Sequence, residues 1–243
     1  MRTNTSTRGN RRSAASDPTT LMRLVQLTDS TLPIGAFSFS NGLETAAAEG
    51  LVHDAATLEE YVRDIVRQAL HTDGIAALHA HRSQTAQRYR GILEADRCAL
   101  ICKMSDEVRL MTCRMGKKLG ELSLRILERQ NVRLWLLDIE ASRTPGTYPA
   151  AQGMIFAAWG IDERQLIASH IYGVANMVLG AALRCIRVSH YDTQRILFRL
   201  GDDAGRMYDS ICDCTTDDIC AFTPQIDILA SLHEKGTQRM FMN

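Results

Sequence analysis

The chain has 243 residues, enough for one large core or two small ones, and its 45% hydrophobic and 23% charged residues are ordinary for a folded soluble protein. Twenty-eight Lys and Arg balance 28 Asp and Glu, so charge gives no general argument for nucleic acid or an anionic membrane surface. The seven Cys (Cys98, Cys102, Cys113, Cys185, Cys212, Cys214 and Cys220) are odd in number and lack framework spacing, and no apolar secretory core opens the chain. Free thiols in a reducing cytosol are therefore expected.

In chain order, residues 1–20 are rich in Thr, Ser, Asn and Arg, and Arg2, Arg8, Arg11 and Arg12 all precede the first acid, Asp17. This predicts a disordered basic tail over 1–20, with one folded domain over 21–243. The stretch DSTLPIGAFSFSNGLE (29–44) comes next and places two of the six Phe beside a Pro-x-Gly turn. Pro33 fixes one backbone angle and Gly35 permits a conformation that other residues resist. Phe37 and Phe39 are then either core residues or contact area displayed by a rigid turn.

Beyond Gly50, Thr57-Leu-Glu-Glu60 has a capping-box pattern, and Leu58, Tyr61, Val62, Ile65, Val66 and Ala69 repeat at helical steps. A second long helix is expected from about Ser105 to Gln130, with Val108, Met111, Met115, Leu119, Leu122 and Ile126 as its apolar stripe. RLWLL (133–137) is the one plausible strand. A third helix starts at Asp162, with Gln165 in the box position, and continues through the apolar run 166–188. His170, Asn176 and Arg184 interrupt that run, so a buried helix is the better reading than a membrane span. Further helices are expected over about 192–212 and, after Pro224, 225–235, with breaks at Gly50, 144–149, Gly160 and Ser189-His190. The sum is an all-α fold, a single compact domain of roughly seven to ten helices.

Signals for chemistry are weak. Cys212-Asp-Cys214 with Cys220, and His79-Ala-His81, contain metal-ligand residue types, but neither has the paired spacing of a zinc site. His79 and His81 lie two apart and face different ways on a helix. MGKKLGEL (115–122) lacks phosphate-loop spacing, and Gly116 and Gly120 read as sites of close helix packing. No nucleophile elbow is present. The residues thus offer no catalytic, cofactor or metal site, and a binding protein is a better reading than an enzyme. A helical enzyme using a Cys/His pair, or a metallochaperone holding a metal ion on Cys212, Cys214 and Cys220, are the competing classes.

LVQLTDSTLPIGAFSFSNGLETA (24–46) resembles the start of the UreF family of urease accessory proteins, with Gln26, Asp29, Pro33, Ile34, Gly35, Phe37, Ser38, Ser40, Gly42, Leu43 and Glu44 in register. The resemblance continues through MGKKLGEL, YPAAQGMIFAAWGID (148–162) and ALRCIRVSHYDTQRIL (182–197), and ends in TPQIDILASLHEKGTQRMF (223–241). Phe39 stands where the family usually has His, Arg187-Val-Ser-His190 replaces a typical Pro-Leu-Gly-Gln, and the last residues depart from the usual tail. The resemblance implies an all-helical, usually dimeric and non-catalytic protein. It would bind the accessory protein UreD (also called UreH), recruit the GTPase UreG and help deliver nickel to the urease apoprotein. Pro33, Gly35, Phe37, Ser38, Glu44, Arg184, Gln194, His233, Glu234, Arg239 and Phe241 are the partner-binding residues it implies.

Overall fold

The computed structural model describes residues 17–36, 39–221, 223–233 and 240–241. Phe37, Ser38, Glu234 and Arg239 lie outside these described residues, as do residues 1–16. Helix starts are set by short polar side chains that satisfy otherwise unpaired N–H groups. Asp17 Oδ2 accepts from Thr20 N–H at 3.2 Å and opens α1 (Pro18–Thr28), so the first helix begins ahead of Leu21. After α2 (Leu43–Ala48), Asp54 caps α3 (Ala55–Ala69). Thr57 is therefore the third residue of that helix and reaches back to the Asp54 N–H, one turn away from the capping role its pattern predicted.

A π turn, Leu70–Gly74, joins α3 to α4 (Ile75–Thr85), and α5 (Tyr89–Ile101) turns back along α4. Ser105 caps α6 (Asp106–Ile126). Its buried face is Thr112, Met115, Gly116, Leu119, Gly120 and Ser123, while Ile126 is exposed. The apolar stripe foreseen for this helix is thus rotated, because Gly116 lets the backbone at Gly146 and Thr147 come close and Gly120 admits the Trp135 ring. A methyl on Gly116 would collide with the Gly146 carbonyl. RLWLL lies in α7 (Gln130–Glu140), where Val132 and Trp135, three apart, form a helical buried face. Local β-propensity loses there to tertiary packing.

α8 (Tyr148–Ala158) is the centre of the core, buried from Pro149 to Phe156 and packed against α4, α5 and α6. A methyl on Gly153 would strike the Ala77 carbonyl of α4. α9 (Glu163–Cys185) starts with the expected Asp162/Gln165 capping box. It is long and apolar enough to cross a membrane by composition, yet α1, α2, α3, α10 and α11 pack along it, and its buried positions include Leu166, Ile167, His170, Ala175 and Val178. The predicted 192–212 helix is two: α10 (His190–Gly201), capped by Ser189, and α11 (Ala204–Ile211). A 3-10 turn (Thr216–Asp218) leads to α12 (Pro224–His233). The described residues form no strand, and the fold is all-helical.

Two polar junctions hold the connections, the first fully buried and the second partly exposed. Asp96, with no exposed surface, accepts from Trp135 Nε1 (3.0 Å), Thr144 Oγ1 (2.6 Å), Gly146 N–H (3.0 Å), Thr147 N–H (2.6 Å) and Thr147 Oγ1 (2.7 Å). One carboxylate therefore fixes the loop between α7 and α8. Arg82 donates twice to Glu163 (3.0 and 2.7 Å) and once to the Cys212 carbonyl (2.6 Å), tying α4 to α9 and to the end of α11.

Candidate functional site

The 29–44 segment begins with Asp29, whose Oδ1 accepts from Thr31 N–H at 2.8 Å and shapes the turn before Pro33. Pro33 is exposed, Ile34 is buried, and Gly35 has φ +87°, a left-handed conformation that favours glycine. Phe39 is buried, so it is core and not displayed contact area. Asn41 and Gly42 both have positive φ, and Tyr61 donates to the Asn41 carbonyl at 2.7 Å. An added Cβ on Gly42 would lie 3.1 Å from the Tyr61 hydroxyl and 3.3 Å from Ala230 N. Gly42 is thus where the N-terminal segment presses against α12.

One step later the two ends of the chain meet chemically. Glu44, in the first turn of α2, faces His233, the last residue of α12, with Oε2 3.0 Å from the imidazole Nε2. The other ring nitrogen, Nδ1, lies 2.9 Å from Glu107 Oε2 on α6. Two carboxylate oxygens, which only accept, thus face the two ring nitrogens of one imidazole. Glu44 also accepts from Met240 N–H at 2.8 Å and from Phe241 N–H at 3.2 Å. Burial pushes its carboxyl upward, but these N–H groups and His233 outweigh it and hold the group below the ordinary glutamate value. Phe241 is buried, and the Arg184 guanidinium of α9 lies 4.1 Å from its ring centroid.

Glu44, Arg184, His233 and Phe241 are therefore brought together in one clasp, each engaged with another part of its own chain. Gln194 is exposed on α10. Glu107 was not anticipated. In sequence it is an ordinary acid in the first turn of a helix, and its partner is 126 residues away.

The chain is 46% identical over 223 residues to urease accessory protein UreF 2 of Brucella canis, covering 92% of each chain. It is 42% identical over the same length to urease accessory protein UreF of Yersinia pseudotuberculosis, covering 92% of this chain and 98% of that one. Residues 52–201 match the UreF family. The chain belongs to the UreF family of urease accessory proteins. The relatives match 223 residues, a longer stretch than the 52–201 of the UreF family match.

Burial acts on five of the seven thiols of this UreF-family chain. Burial pushes the Cys113 and Cys185 thiols up to about 11, and Cys98, Cys102 and Cys214 are also raised by burial. Such thiols are poor nucleophiles. Among the described residues no three His, Cys, Asp or Glu side chains group as a metal site. His81 spends Nε2 on the Ile161 carbonyl at 2.8 Å, while His79 lies 3.6 Å from Glu94.

Proposed function

We propose that this chain is a non-catalytic scaffold in urease maturation. It binds the accessory protein UreD (UreH), recruits the GTPase UreG, and acts within the assembly that delivers nickel to the urease apoprotein. The observation that carries this reading is the 42–46% identity, over 92% of the chain, to proteins named as urease accessory proteins. The scaffold works in the cytoplasm as a homodimer and needs no cofactor of its own, the GTP chemistry belonging to the partner.

Physical features support assembly over turnover. Leu21, Met22 and Val25 stand exposed on one side of α1, and Ile228 and Leu232 on α12. Clustered exposed apolar side chains mark surfaces that other proteins cover. The clasp sets the relation of α12 to the 29–44 loop, and among the described residues Pro33, Gly35, Arg184 and Gln194 are the exposed members of the partner-binding set.

The test is capture of UreD by the purified chain, together with the nickel content of urease in a strain lacking the gene. We expect stoichiometric capture and nickel-poor, inactive urease. Full urease activity in the deletion strain would overturn the reading.

A further inference from the structure

A cavity of about 380 Å³ opens between the loop before α2, α3 with its π turn, α6, α9 and α12. That size accommodates a small organic ligand. Met111, Met115, Val174 and Met177 give it an apolar wall. Its polar groups are unevenly matched.

Lys103 Nζ pairs with both Asp73 oxygens, at 2.7 and 2.8 Å, in a contact only 12% and 16% exposed. Asp227, on α12, accepts from Gln68 Nε2 at 3.2 Å and lies within electrostatic reach of Lys103. With the more exposed Asp29 and Arg184, the lining carries three carboxylates against two cations. One negative charge is left in excess, and burial pushes the Asp227 carboxyl above its ordinary value.

A second, independent group in the lining lacks a donor. His170 is 3% exposed, and its Nδ1 lies 2.8 Å from Gln152 Oε1. An amide oxygen only accepts, so Nδ1 is the donor and Nε2 is left as an acceptor. Burial, aided by Lys103 and opposed by Asp73, holds the imidazole toward its neutral form. His170 Nε2 has no partner among the described residues. Gln152 Nε2 also lacks one, but Gln152 does not line the cavity. The cavity thus combines a surplus carboxylate, a bare imidazole acceptor and an aliphatic wall. Anions and neutral acceptors would leave both deficits in place.

We propose that this cavity binds a small primary alkylammonium ion, its charge balanced by Asp227, an N–H donated to His170 Nε2 and its chain against the methionines. The probe is n-butylammonium chloride, titrated into the full chain at fixed ionic strength and followed through the methionine methyl NMR signals. n-Butanol and sodium butyrate serve as controls of equal length. We expect saturable shifts of Met111, Met115 and Met177 with n-butylammonium, at an affinity at least ten-fold above that for n-butanol, and none with butyrate. His170→Phe and Asp227→Asn, each checked for native circular dichroism, should weaken binding at least ten-fold. Equal affinity for amine and alcohol in the unaltered chain, or wild-type affinity in both folded variants, would overturn the assignment. Neither result bears on urease maturation.

Discussion

Single side chains carry much of the long-range order in this molecule, and Asp96 is the clearest case. Its five donors come from α7 and from the loop before α8, so it substitutes for the contacts a buried loop would otherwise lack. Asp96→Ala strands those donors, and we expect a loss of about 3–5 kcal/mol in urea unfolding, as for a broken buried charge network. Glu44 has a pH-dependent part. Its folded carboxyl lies below the ordinary value of 4.5, so its stabilisation is present above that pH and is lost as pH falls through the folded value. Glu44→Gln should therefore flatten the acid limb of the stability profile, measured by thermal melts between pH 3 and pH 7, and leave the neutral limb lower but parallel. Asp96 itself was not legible in sequence: a carboxylate at mid-helix gives no local sign that its partners lie 39–51 residues away.

At the level of elements, legibility followed how local the cause was. The Asp162/Gln165 box is a contact between residues three apart, and the pattern identified it correctly. The Thr57 box failed by one turn because Asp54 competes as cap and wins with its carboxylate. The α6 stripe was only partly placed, with Met115 and Leu119 buried but Ile126 exposed, whereas Gly116 and Gly120, read in sequence as sites of close packing, do mark its closest approach. Gly116→Ala and Gly153→Ala should each destabilise by about 1–3 kcal/mol or more through overpacking against backbone carbonyls, read as a lower denaturation midpoint at unchanged m-value. Glu44 and His233 were both legible as family markers. That they touch, and that Glu107 completes the contact, depends on a separation of 189 residues that no periodicity reports.

For the whole molecule, the clasp makes the chain's end part of its fold. His233 is buried between two carboxylates, so a cut that removes it conflates stability with assembly. Cutting after His233 separates the two: loss of 234–243 removes the two N–H donors to Glu44 and the Phe241–Arg184 contact but keeps the imidazole bridge. We expect this truncation to lower the melting temperature by a few degrees, about 1–2 kcal/mol for such hydrogen bonds, and to weaken UreD capture by more than ten-fold. Unchanged capture would place the partner surface elsewhere.

The π turn at Leu70–Gly74 has a consequence for how much length variation this fold tolerates. A π turn is one residue wider than an α turn, so it works as a phase shifter set into a long rod. Deleting one residue there would leave a continuous helix of good geometry, yet everything beyond it would rotate by about 100°. The small-residue face that α4 offers α8 would swing away from it, and Asp73 would move out of line with Lys103. The rod would survive, but the central pairing built on it would not.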